Sequence, residues 1–327
     1  MSFETSLPPQ GGGLLGVAQA SEKDPDAPLQ PAVVDATAIA IEKKPWGLGA
    51  WLAGGWLMLI VFAAAFADLL PLNDPAAEVA IKRLAPFQSG GPLLGTDANG
   101  RDMLARTIYG ARTSLIIAVC AVLLGLLIGG FLGLLAGYFR NWAGNALVSL
   151  FDILLAIPQL VLALSLVSVL KGNPDPSADD GFRLPITVTL ILALGIVSIP
   201  LLARITRAST LSWSQREFVT AARAQGASHA RILFREVLPN VLPAMISIAL
   251  LGMAIAVVAE GGLAILGASV EPPTATWGTM IAVGKSELEE APFIVWVPVA
   301  AVFFTAVSLN YLGDVIRDRF DVRESAL

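Results

Sequence analysis

The chain has 327 residues, of which 55% are hydrophobic and 14% charged, and its mean hydropathy is +0.72. Soluble domains carry about 25% charged residues, so this much apolar surface cannot close into one water-soluble core, and a multi-span membrane protein is the expected class. A net charge of −5 argues against nucleic acid as a partner, the single Cys120 excludes an internal disulfide and reads as a buried thiol, and the single His229 argues against a transition-metal site.

Residues 1–45 are rich in Pro, Gly, Ala and acidic side chains and have no helical period. They read as a disordered cytoplasmic tail, with no signal peptide visible. The remainder, 46–327, holds six apolar runs, at about 46–67, 114–138, 146–170, 185–203, 241–266 and 292–312. Each is near the ~20 residues a helix needs to cross the hydrocarbon, and the runs are continuous rather than alternating, which excludes a transmembrane barrel. The expected fold is an all-α bundle of six transmembrane helices. Placing both termini in the cytoplasm puts 13 of the 21 Lys and Arg on the inner side, six of them Arg in residues 204–235.

Several residues within this frame invite a local reading. In Gly95–Asp102, the run GTDANGRD lacks the spacing of a calcium loop. Turn chemistry accounts for it instead: Asp97 accepts bonds from backbone amides, Gly100 supplies an unusual torsion, Arg101 follows it, and Asp102 caps a helix starting at Met103. A functional reading has this outer turn meet a substrate-delivering protein. Gly125, Gly129, Gly133 and Gly137 share one helical face, suited to close packing within the bundle or against a partner. Pro158 and Pro200 are expected to kink their spans. Of the two acids near spans, Asp152 suits an interface, whereas Glu260, followed by Gly261 and Gly262, is a candidate for lining a pathway.

The most informative stretch is 216–243, REFVTAARAQGASHARILFREVLPNVLP. Glu217 to Gln225 reads as a short helix with Ala221 and Ala222 as a small face, flanked by the charges of Arg216, Glu217 and Arg223. Gly226 fits a left-handed position that ends the helix, Ser228 caps the next helix, and Pro239 marks its stop. Two short helices joined by a sharp corner are marginal alone in water and need something to pack on. A groove in a soluble protein and the bilayer surface both qualify.

This stretch resembles the "EAA" signature of ATP-binding-cassette importer permeases, with Glu217, Ala221, Ala222, Gly226, Ile232, Leu238 and Pro239 at matching places and the E-x-V-x-A-A-x-x-x-G spacing of the peptide-importer branch. PLLGTDANGRDMLARTIYGARTSL at 92–115, and stretches at 152–164, 260–280 and 310–323, are similar to the C-type permease subunit of dipeptide and oligopeptide importers; Val322 and residues 208–212 and 263–266 depart from that pattern. The resemblance covers roughly residues 85–323. It implies a type I importer permease of the bacterial cytoplasmic membrane that pairs with a homologous B-type permease. It also implies one fused or two separate P-loop ATPase subunits, an extracytoplasmic substrate-binding protein and a short peptide substrate. In the family the loop is a coupling helix docked on the ATPase, which places Glu217, Ala221, Ala222, Arg223, Gly226, Leu238 and Pro239 at the ATPase contact. The chain has no G-x-x-x-x-G-K-[ST] loop, so ATP and magnesium are expected on the partners and no cofactor or metal on this chain, which is expected to be non-catalytic.

The same architecture could import nickel or a modified peptide such as glutathione. A secondary transporter would call for several intramembrane charges and inverted repeats, and an intramembrane protease for a nucleophile–base pair or paired acids; neither pattern is present.

Overall fold

The computed structural model describes residues 47–171 and 184–321; the expected tail at 1–45 and the basic residues Arg183 and Arg323 lie outside the described residues. Nine helices of eight residues or more carry the described fold. They are α1 (Leu48–Ala65), α2 (Met103–Tyr138), α3 (Trp142–Ala156), α4 (Gln159–Lys171), α5 (Ile186–Trp213), α6 (Glu217–Ala224), α7 (His229–Ile265), α8 (Trp277–Gly284) and α9 (Phe293–Asp321). Five of these are long and apolar enough to cross a membrane, and α3 with α4 makes a sixth crossing if the bent pair is one span.

The third run is more than kinked: α3 and α4 meet at 92°. Ile157, forced out of the helical region by the proline after it, is extended (φ −79°, ψ 129°), and the Pro158 carbonyl then opens α4 by accepting from Val161 and Leu162. Pro200 and Pro298, by contrast, lie inside helices that continue on either side of them.

Helices α2, α5, α7 and α9 form the body. The glycine column of α2 faces α5, which settles the choice left open by the sequence in favour of packing within the bundle. A Cβ on Gly125 would overlap Ser198, one on Gly129 the Ile199 carbonyl, one on Gly133 that of Ala203, and one on Gly137 would lie 2.7 Å from Thr210 Cβ. Contact this close gains dispersion along the whole seam, the main attraction between helices in lipid. Ser247 of α7 donates to the Gly313 carbonyl of α9 at 2.7 Å, and Trp56 of α1 donates to Thr305 of α9 at 3.1 Å. Cys120 is exposed on α2 rather than buried. An apolar neighbourhood along a membrane helix includes the face turned to lipid or to a partner, so it does not imply burial.

Four helices outrun the expected spans, α2 by starting at the capped Met103 instead of 114. Helix α5 continues past residue 203 to Trp213, α9 continues to Asp321, and α7 starts at His229 instead of 241. Pro239 therefore does not stop a short helix. A π segment, Ile232–Val237, widens the turn ahead of it, and α7 carries on through Pro239 and Pro243 to Ile265.

Candidate functional site

The sequence reading leaves 204–240, between the spans ending at 203 and starting at 241, as a coupling loop, but the corner between α5 and α7 is much tighter: only residues 214–216 and 225–228 lie outside helices. Helix α6 ends as local chemistry requires. Gly226 sits at φ +79°, its N–H donates to the Arg223 carbonyl, and the Ala227 N–H donates to that of Ala222, both at 3.0 Å. This pair of bonds is the Schellman arrangement, which satisfies the last carbonyls of the helix. Ser228 then caps α7, accepting from the Arg231 N–H at 3.3 Å.

One residue, Val219, anchors α6: it is fully buried in a cluster with Leu134, Tyr138, Ile232, Leu233 and Val237. The two alanines part company. Ala222 packs on this cluster, while Ala221 is exposed together with Glu217, Arg223, Ala224, Gln225 and Gly226. Leu238 rests on the cluster and Pro239 is exposed on α7. Residues of the expected coupling set thus fall into an inward group, Ala222 and Leu238, and an outward group, Glu217, Ala221, Arg223, Gly226 and Pro239.

Two residues that the motif reading passed over hold the corner to the body. The Tyr138 hydroxyl, at the end of α2, is hydrogen-bonded to His229 Nδ1 at 2.9 Å, and the Arg223 guanidinium lies 5.5 Å from the Tyr138 ring centre. His229, read from the sequence as a surface residue, is exposed and also makes this contact. Arg216 lies in the same way over Trp213, 5.3 Å from its ring centre. Sequence offered no signal for the Tyr138–His229 contact, whose partners stand 91 positions apart.

At the opposite end of the bundle, residues 68–102 form a collar. Asp97 is buried, and its carboxylate accepts from the N–H of Asn99 at 2.8 Å, the N–H of Arg101 at 3.0 Å and Arg101 Nε at 2.8 Å, with Arg106 3.5 Å away. Gly100 takes φ +78°, where a Cβ would meet the Ala80 carbonyl at 2.5 Å. Asp102 caps α2 through Leu104 and Ala105 and also accepts from Asn73 at 2.8 Å. Outside the spans, Arg112 and Tyr109 hold the exposed Asp68 carboxyl below its ordinary value, and Arg83 does the same to Glu287.

Glu260, the candidate pathway acid, is 1% exposed and does not face an open channel in this conformation. A cavity of about 480 Å³ does open between α4, α5, α7 and α9, with Gln159, Ser198 and Asn310 as its polar residues. Among the described residues, no three His, Cys, Asp or Glu side chains converge as a metal site.

Residues 125–325 match the family described as binding-protein-dependent transport system inner membrane component. The chain belongs to this family. A di/tripeptide transport system permease protein, DppC, of Pseudomonas aeruginosa is 38% identical over 81% of this chain and 85% of its own length. A dipeptide transport system permease protein of Haemophilus influenzae is 32% identical over 84% and 90%, and a glutathione transport system permease protein, GsiD, of Pectobacterium atrosepticum is 32% identical over 82% and 85%. Among solved structures, an inward-facing methionine ABC transporter, MetNI, matches with a TM-score of 0.55 at 17% identity, over 66% of this chain and 97% of the matched chain, a likeness of fold. The protein is accordingly a multi-pass inner-membrane component of a transport system, with the fold of ABC importer permeases.

Proposed function

We propose that this chain is the C-type permease subunit of an ATP-driven importer of dipeptides and short oligopeptides. It pairs with a homologous B-type permease, receives substrate from an extracytoplasmic binding protein at the collar end, and meets fused or separate P-loop ATPases at the corner end, with both termini cytoplasmic. ATP and magnesium are used by those partners. Closure of the ATPases moves α6, and α6 drives α5 and α7 between outward- and inward-facing states.

One observation carries the mechanism: α6 is pinned to its own protein by Val219 while Glu217, Ala221 and Gln225 face outward. A helix of eight residues is too short to persist alone, and its small exposed face suits the close approach of a second protein. The peptide substrate rests on the relatives, most of which are named as dipeptide or peptide transport permeases. Glutathione is the second reading, favoured by the GsiD relatives.

The test is a cysteine at Ala221 in a Cys120→Ser background, cross-linked in the purified complex to cysteines in the ATPase cleft. Nucleotide-sensitive cross-links are expected, and their absence at every cleft position overturns the contact. Uptake of labelled dipeptide into proteoliposomes, competed by unlabelled dipeptide or by glutathione, separates the two substrate readings.

A further inference from the structure

Helix α7 is one continuous element from the corner at His229 to Ile265, 37 residues and so about 55 Å of rod. Near its far end stands Glu260, whose carboxylate the corner mechanism does not use. Its Oε1 accepts two hydroxyl bonds, from Ser269 at 2.6 Å and from Thr276 at 2.8 Å. Thr276 is the N-cap of α8, in a capping box with Thr279. Glu260 Oε2 has no hydrogen-bond partner and lies against the first turn of α8, where a Cβ on residue 278 would come within 2.6 Å of it; only glycine leaves that room. The following residue of the cap also binds the other rod. The Trp277 N–H donates to Ser114 at 3.0 Å, and its Nε1 donates to the Thr107 carbonyl at 2.9 Å, both on α2.

The first turn of α8 is thus held between two long helices, by a carboxylate of α7 on one side and by backbone and hydroxyl groups of α2 on the other. A buried acid in a span is costly to keep, and this one is set against the N-terminal end of a helix, where a carboxyl group is favoured. Apolar packing alone would seal this junction, so the acid calls for a further role.

We propose that Glu260 is a positioning residue that latches the segment 266–284 to α7, so that a displacement begun at the corner is delivered to the outer cap. The proposal rests on the reading of α6 as the ATPase contact. Coupling over this distance needs packed, rigid elements joined at discrete contacts, and α7 with the Glu260 junction supplies both. Replacing the carboxyl by an amide keeps its shape and one acceptor but sets an NH2 group where Oε2 lies against the first turn of α8, so the latch weakens without leaving a hole.

The experiment uses the assembled complex in lipid nanodiscs, in a Cys120→Ser background, with a reporter cysteine at Gln225→Cys in the corner or Lys285→Cys just after α8. Maleimide labelling rates are read with and without ATP and vanadate. In the parent complex both positions are expected to respond. Glu260→Gln is expected to keep the response at 225 and the basal ATPase rate while cutting the response at 285 about fivefold, the lower edge of ordinary coupling energies. Ser269→Ala, which removes one of the two hydroxyl donors, should cut it about twofold or more, twofold being the lower edge of what one hydrogen bond contributes.

An undiminished response at 285 in Glu260→Gln overturns the latch. If that variant fails to assemble, an undiminished response in Ser269→Ala overturns it equally. A parent complex that responds at 225 but not at 285 removes the latch and leaves the corner standing, whereas silence at both removes the corner reading and the latch with it.

Discussion

The two ends of this bundle satisfy their polar groups in opposite ways. At the collar, Asp97, Arg101, Asp102 and Arg106 are all buried, and each finds its partner within the chain. At the corner, Glu217, Ala221 and Gln225 are turned outward, and α6 depends on one buried valine, one positive-φ glycine and a tyrosine–histidine contact from the neighbouring helix. A self-satisfied end resists deformation and keeps its shape alone. An end with a shallow anchor and an outward face is shaped for another molecule and moves at low cost.

The contrast gives an ordered set of tests. The largest effect on stability is expected from Asp97→Ala, which strands Arg101 and Arg106 without their carboxylate. Breaking a buried pair from one side costs about 3–5 kcal/mol, so the thermal midpoint of the detergent-solubilised complex should fall sharply. A wild-type midpoint would erase the claim that the collar is internally braced.

At the corner the effect should appear in function instead. A Cβ on Gly226 meets nothing within 4 Å, so backbone strain leads the cost of Gly226→Val, roughly 1–2 kcal/mol for a left-handed residue and more for a β-branched one. Membrane insertion and assembly should persist while peptide uptake into vesicles falls at least about tenfold per ATP hydrolysed, a shift of ~1.4 kcal/mol in coupling. Full uptake would break the contrast from this side.

Tyr138→Phe keeps the ring beneath Arg223 and deletes the hydroxyl bound to His229. The loss of about 1 kcal/mol expected for one hydrogen bond should lower peptide transported per ATP roughly fivefold with little change in the thermal midpoint.

The smallest effect concerns the exposed ion pair of Glu287 with Arg83. Its carboxyl is more acidic folded than unfolded, so its stabilisation is present above the ordinary carboxylate value of 4.5 and is lost as pH falls below it. Glu287→Gln should flatten a slight decline in thermal midpoint over that acidic range, and an unchanged decline would assign it to other carboxylates.

What was legible in the sequence follows the range of the interaction. The turn at Asp97, Gly100 and Asp102 is written within six residues, and so are the left-handed Gly226 and the Ser228 cap; all three stand where turn and capping rules put them. Helix lengths were not legible, because hydropathy marks where the bilayer ends and not where hydrogen bonding ends. Arg204 and Arg207 lie on α5 with no break in it, and the π segment before Pro239 is invisible to any residue-type rule. Contacts between distant positions were hidden altogether. Tyr138 with His229, and Glu260 with Thr276, depend on how the helices stack, and neither residue type announces its partner.

The glycine seam has a mechanical corollary. Where Gly125, Gly129, Gly133 and Gly137 bring α2 against α5 with almost no side chain between them, there is no lubricating layer for one helix to slide over the other. The pair is expected to tilt as one laminated plank. On the reading of α6 as the ATPase contact, a push received at Trp213, where α5 runs out toward α6, is expected to reach α2 through this seam, and a single bulky residue at any of those four positions should prise the two helices apart.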